Sequence, residues 1–311
     1  MQFSLRFNLR NPDFSGVVHA DRYAAAIHMA EWADNLGAAT VSLSEHHGSH
    51  DGILPCPLPV IAAMAARTKT IRLSIAALVA PFHDPIRLAE EIAVVDQISG
   101  GRLDIVIAAG HDEQTFEMFG VDIRSRARLV TEMVTTLRSA FSGDPFEFRG
   151  RTVRVTPTPC QPGGPRIIMG GNSEAAARRA ARLGDGFVPA IPQAWEFYRD
   201  EIQRIGKPDP GPFRGGNGTT IALSEDPEDS WDELAPFFLY EAKSHGYPIP
   251  DADVLKESGL FRVLSPRQYV DELQAQKHPF PNFDPMCGGI NPDKGWESLR
   301  LFEQEVLPKF A

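Results

Sequence analysis

The chain has 311 residues, 42% of them hydrophobic and 23% charged, with 31 Lys and Arg against 41 Asp and Glu. A formal net charge of −10, with no run of basic residues, argues against a nucleic-acid partner, because phosphate contacts need clustered positive charge. Cys56, Cys160 and Cys287 lie far apart without CxxC spacing, which is neither a disulfide framework nor a zinc knuckle and fits a reducing compartment.

The opening "MQFSLRFNLRNPDFSG" lacks the apolar block and cleavage site of a secretory signal, and no window is apolar for long enough to span a membrane. A cytoplasmic protein with no membrane partner is therefore expected. In chain order, "QFSLRFNL" reads as a first strand and "DRYAAAIHMAEWADNLG" as a helix closed by Gly37. "ATVSLSEH" and "PLPVIAAMAARTK" repeat the pair, with prolines near the helix start. "IRLSIAALVA" and "RLDIVIAAG" are strands three and four, each followed by a helix. All four are apolar nearly throughout, as strands covered on both faces by crossover helices must be.

"FEFRGRTVRVTPTPCQPGGP" reads as a hairpin outside this rhythm. "RIIMGG" and "GFVPAI" then give strands five and six, and "GGNGTTIALSED" strand seven. "SWDELAPFFLYEAKSHG" is a helix, 246–265 reads as irregular, and "PRQYVDELQAQK" is helical again. "FDPMCGGI" is strand eight and "GWESLRLFEQEVLP" the closing helix. Eight β-then-α units predict an α/β fold: a single (β/α)8 TIM barrel over residues 1–311, with insertions after strands four and seven. An open doubly wound sheet would more often show a Gly-rich turn after strand one, and no GxGxxG is present.

Chemistry in such barrels sits where strands end and βα loops begin. Four polar clusters fall there: "SLSEHHGSHDG", "APFHDP", "AAGHDEQ" and "GGNSE". In "IIMGGNSEAAARR" the glycines allow close backbone approach to a ligand, and Ser173 or Asn172 caps a helix whose free amides suit a phosphate. A plain N-cap explains the same residues. His46 and His50 have zinc-like i, i+4 spacing that His83 and His111 could complete, but the HExxH order is absent and Gly48 interrupts a helix. His46 could equally serve as a general acid or hydrogen-bond donor near neutral pH. His47 and His50 read as packed or solvated loop residues, and Glu45 as an orienting hydrogen-bond partner. Asp112 and Glu113 either line the mouth or cap a short helix. Trp231 and the aromatics at 237–240 read as helix packing rather than a lid, and a lid, if present, is expected at 245–265 around His245 and Tyr247.

"SEHHG", the long run "LVAPFHDPIRLAEEIAVVDQISGGRLDIVIAAGHDEQTFEMFGVD" and "IIMGGNSEAAARRAARLGDGF" resemble, in order, the bacterial luciferase-like monooxygenases. The resemblance covers well over half of the chain. It implies a flavin-dependent monooxygenase in which reduced FMN, supplied by a separate and transient flavin reductase, reacts with O2 to a flavin C4a-hydroperoxide that oxygenates a small organic substrate. His46 takes the catalytic role beside the flavin. Ala76, Ala77, Ala109, Gly170, Gly171, Asn172 and Ser173 fall at the cofactor-binding positions, and Ala76–Ala77 corresponds to a non-proline cis peptide. No metal is implied, and homodimers through helices two and three are common in the family. Ala109 stands where luciferase has a phosphate-binding arginine, which points to Arg178 or Arg179 as a substitute or leaves room for a longer cofactor tail. The alternatives are an F420-dependent oxidoreductase transferring hydride, a metal-dependent barrel hydrolase and a non-catalytic flavin binder. The EHH pattern favours FMN.

Overall fold

The computed structural model describes residues 1–213, 215 and 218–310, so positions 216 and 217 of the expected seventh strand lie outside the described residues. The chain divides into two compact units, one of residues 1–42, 49–55 and 218–311, the other of residues 43–48 and 56–217.

In the first unit, β1 (Ser4–Phe7) leads into α1 (His19–Asn35) and β2 (Thr40–Leu43). The C-terminal stretch adds β9 (Thr220–Leu223), α8 (Pro227–Ser244), α9 (Ala252–Ser258), β10 (Phe261–Leu264), α10 (Pro266–Gln274), β11 (Asn282–Phe283) and α11 (Pro292–Leu301). β1 runs parallel to β11, with Ser4 opposite Asn282, and β9 runs parallel to β10. Phe302 makes edge contacts with Phe3 at 4.9 Å and Phe283 at 4.8 Å, so the last helical residues close over the first and last strands. Trp231 and Phe238 of α8 pack with Phe261 in a second buried cluster, as expected of a packed helix rather than a lid. Within the stretch expected to be irregular, 246–265, the chain forms α9 and β10, while 246–251 carries neither helix nor strand. α9 has only seven residues between its Asp251 cap and Gly259, too few to establish a helical period in the sequence.

In the second unit, β3 (Arg72–Val79), β4 (Leu103–Ala108), β7 (Arg166–Gly170) and β8 (Gly186–Val188) pair in that order, all parallel. They are separated by α3 (Pro85–Ser99), α4 (Glu113–Met118), α5 (Arg126–Ala140) and α6 (Glu174–Leu183). α2 (Pro57–Arg67) precedes them and α7 (Pro192–Arg204) follows. The expected hairpin is β5 (Phe146–Phe148) against β6 (Arg151–Val153). Asp84 caps α3 by accepting from the Ile86 and Arg87 amides, and Gly100 ends it in the left-handed region. The adjacent Arg102 then donates to the carbonyls of Ala65, Thr68 and Ile71, which joins the end of α2 to the starts of β3 and β4. Glu201, fully buried on α7, accepts from Arg178 and Arg182 of α6 and from Arg204 of its own helix.

The parallel α/β architecture is present, and strands stand within the first seven expected segments. Of the expected eighth, residues 283–290, only Phe283 is in a strand, and Cys287–Gly289 form a short helical turn in which Gly288 and Gly289 take positive φ. No helix among the described residues is long and apolar enough to cross a membrane.

Candidate active site

The strand ends of the second unit carry the smallest side chains the genetic code offers. β3 pairs with β4 through Ala76 opposite Val106, then resumes at Leu78 opposite Ile107, leaving Ala77 as a bulge, and the Ala76–Ala77 peptide is cis. Ala76 is exposed on a strand whose Leu73, Ile75 and Leu78 are buried. On β4, Ala108, Ala109 and Gly110 follow one another and stay half open. Gly110 has φ +72°, and a Cβ there would come within 2.9 Å of the Val79 side chain and 3.0 Å of Phe116. On β7, a Cβ on Gly170 would sit 3.7 Å from the Ala108 Cβ, and one on Gly171 (φ +155°) would meet the Ala176 Cβ at 2.6 Å. Only glycine lets the chain turn there into α6. The result is a methyl-lined shelf across the C-terminal ends of three neighbouring strands.

At one rim of the shelf, Ser173 is the N-cap of α6 and its Oγ accepts from the Ala176 amide at 3.2 Å. Asn172 does not cap. Its Oδ1 accepts from the Ala190 amide at 2.7 Å, which ties the end of β7 to the segment after β8. Arg178 is committed to Glu174 at 2.7 Å and Glu201 at 3.2 Å. Arg179, half buried, makes no ion pair among the described residues, and burial alone holds its guanidinium below the usual arginine range.

At the other rim, Glu45 is buried just past β2. Its Oε1 accepts from His47 Nε2 at 2.7 Å and from His83 Nε2 at 2.8 Å, while its Oε2 accepts from the Val79 amide at 2.8 Å. Burial raises its pKa, but hydrogen bonds from His47, His83 and the Val79 amide more than offset that and leave it below the ordinary glutamate value. Glu45 is thus the hydrogen-bond partner of two histidines and one backbone amide. His47 is the packed loop residue of the two readings, its ring meeting Phe82 at 5.6 Å and Phe119 at 4.8 Å. His46, between Glu45 and His47, is half buried, whereas His50 and His111 are exposed. The four histidines considered as a cage do not assemble. Among the described residues no group of three or more His, Cys, Asp or Glu side chains is placed to hold a metal ion. Asp112 caps α4, accepting from the Thr115 amide at 2.8 Å and from its hydroxyl.

Sequence reasoning missed an ionic cluster in the first unit. Arg10 donates to Asp51 at 2.6 Å, Tyr240 donates to the same carboxylate at 2.9 Å, and Asn8 donates to Glu241 at 2.7 Å. Arg10 Nε and Glu241 Oε2 face each other at 3.2 Å without hydrogen-bond alignment, and Arg6 Nε lies 3.2 Å from Asp284 Oδ2. The one available signal was the placement of Arg6 and Arg10 within and just after the first strand, between the buried Leu5, Phe7 and Leu9.

The small side chains at these strand ends suit a flat ring, and the amide end of α6, with Arg179 farther along the same helix, suits an anionic group. The sequence profile of the luciferase-like monooxygenases matches residues 1–269. The chain belongs to that family. It is 34% identical over 256 residues to the oxygenase component of the flavin-dependent trigonelline monooxygenase of Acinetobacter baylyi, a match covering 73% of this chain and 70% of that one. It spans about half the length of several other curated relatives it matches. The fold extends over 99% of this chain and 98% of the oxygenating constituent of 3,6-diketocamphane monooxygenase of Pseudomonas putida, solved in complex with FMN, at a TM-score of 0.74 and 21% identity. An F420-dependent secondary alcohol dehydrogenase, solved with an F420-acetone adduct, shares the fold over the whole of both chains at a TM-score of 0.68 and 16% identity. Proteins solved with FMN and with F420 therefore share this fold.

Proposed function

We propose that this chain is the oxygenase of a two-component luciferase-like monooxygenase, taking reduced FMN from a separate, transiently bound reductase and O2 to oxygenate a small organic substrate. The observation that carries the reading is the methyl shelf of Ala76, Ala77, Ala108 and Gly170 beside the capped N-terminus of α6, in a chain of this family. Reduced FMN, when bound, supplies the two electrons with which one atom of O2 enters the substrate and the other leaves as water.

The chain's own residues bind, orient and protect. Ala76, Ala77, Ala109 and Gly170 keep side-chain bulk away from the ring. Gly171, Asn172 and Ser173 shape the turn into α6, whose amides hold the phosphate with Arg179 in place of the arginine that Ala109 replaces. Arg178 is already spent on Glu174 and Glu201. His46 would serve as the proton donor or acceptor toward the bound cofactor. We take residues 1–311 as one (β/α)8 domain of a cytoplasmic protein that pairs as a homodimer through α2 and α3, where Val94 and Ile98 of α3 are exposed.

The test is oxygen uptake with reduced FMN and a panel of aldehydes and ketones, for the wild type and His46→Ala. The wild type should incorporate oxygen into at least one substrate, and His46→Ala should keep its fold while releasing hydrogen peroxide instead. Full coupled turnover in His46→Ala contradicts its role. The F420 reading rests on the alanine at position 109, which leaves room for a longer tail, and it predicts F420 reduction without oxygen uptake.

A further inference from the structure

Residues 44–48 follow β2 in irregular backbone, where no strand ladder fixes them, yet they carry His46. Side chains must therefore hold this segment in place. Glu45 reaches from it to two points on the next part of the chain: the amide of Val79, the last residue of β3, and His83, just beyond the short helical turn Ala80–Phe82. It also fixes His47, whose ring is held by Phe82 and Phe119.

All three bonds are donated to one buried carboxylate, which makes them charge-assisted and sets the tautomers, because both histidines must carry hydrogen on Nε2. With three of the four lone-pair sites of its ionised carboxylate taken by these bonds, Glu45 is tied to its neighbours, and its role is geometric. Val79 lies two residues past Ala77, so the anchored end of β3 is the same strand end that forms the shelf.

We infer that Glu45 is a positioning residue: its carboxylate, clamped by His83, His47 and the Val79 amide, fixes the segment that presents His46 against the end of β3. The inference rests on the proposed role of His46 toward reduced FMN. His83 is the outer arm of the clamp, its side chain 22% exposed against 10% for His47. Loss of the clamp lets the His46 backbone drift, and a displacement on the order of 1 Å at a reacting group can cost up to about 100-fold in rate.

The experiment compares wild type, Glu45→Gln, His83→Asn and His46→Ala. Three quantities are read: imidazole 15N resonances of the flavin-free protein, the Kd for reduced FMN, and the rate of peroxide release after mixing with reduced FMN and O2. Glu45→Gln keeps the shape but sets an amide NH2 against an imidazole N–H. It should move the His46 resonances in the flavin-free protein and speed peroxide release by at least about tenfold, with the Kd changed less than about threefold. His83→Asn should act in the same direction to a smaller extent, and it decides the matter if Glu45→Gln does not fold.

Unchanged His46 resonances and peroxide rates in both clamp variants, with rapid release from His46→Ala, overturn the positioning role while leaving the proposed function standing. Weakened FMN binding with an unchanged peroxide rate per bound flavin shows Glu45 to be merely structural and likewise overturns it. Wild-type behaviour of His46→Ala removes the role on which the inference depends.

Discussion

Glu45 and Asp284 are both buried carboxylates, but Glu45 accepts three hydrogen bonds while Asp284 Oδ1 accepts none among the described residues. Burial, opposed by Arg6 and reinforced by Glu241, pushes Asp284 up to about 7 from its ordinary 3.8. An acid that holds its proton more tightly when folded favours the folded state at low pH. That advantage is complete below the unfolded value and is lost as pH rises from about 4 to about 7. An isolated group shifted this far would contribute up to about 4 kcal/mol, and Asp284 contributes less because Arg6, Arg10 and Glu241 share its cluster. Urea unfolding at pH 5 and pH 8 should show the wild type losing more stability across the interval than Asp284→Asn, and equal losses in the two proteins would contradict the assignment. Glu45 has the opposite sign: its contribution is present above the ordinary glutamate value and is lost as pH falls. Glu45 was legible because the EHH pattern marks it. The Asp284 cluster was not, because its partners at positions 6, 10 and 241 lie far from it in the sequence and nothing local ties them together.

At the level of elements, the caps and glycine stops were legible. Ser173 starts α6 and Gly37, at φ +76°, closes α1 where the sequence indicates, because those residues act through neighbouring backbone groups. α9 and β10 were not legible, being too short for their periods to stand out. The choice between Arg178 and Arg179 also could not be read from the sequence, since both follow the same cap by similar spacing. It needed Glu201, which comes from a different helix and occupies Arg178. With Arg178 committed, the α6 N-terminus and Arg179 form the proposed phosphate site. Arg179→Ala should therefore weaken FMN about tenfold, in line with loss of one charge-assisted contact, while leaving riboflavin, which lacks the phosphate, unchanged. Fluorescence titration of both flavins checks this, and equal weakening of the two would place Arg179 outside the phosphate site.

For the molecule as a whole, seven of the eight expected strands and the parallel α/β class could be read from composition and periodicity. The eighth could not, because the apolar run at 283–290 leaves its strand after Phe283 for a glycine-bearing helical turn. The methyl shelf could be read only through the family resemblance, since alanines and glycines at strand ends carry no chemical signature of their own. Relatives and fold neighbours include flavin-dependent and F420-dependent proteins, and the two cofactors would make different demands on the proposed shelf: O2 chemistry for one and hydride transfer for the other. The decisive measurement is titration of the purified protein with reduced FMN, oxidised FMN and F420 under anaerobic conditions, followed by absorbance and fluorescence. Preferential, saturable binding of reduced FMN is the predicted result. Preference for F420, or binding of neither cofactor, would contradict the monooxygenase assignment.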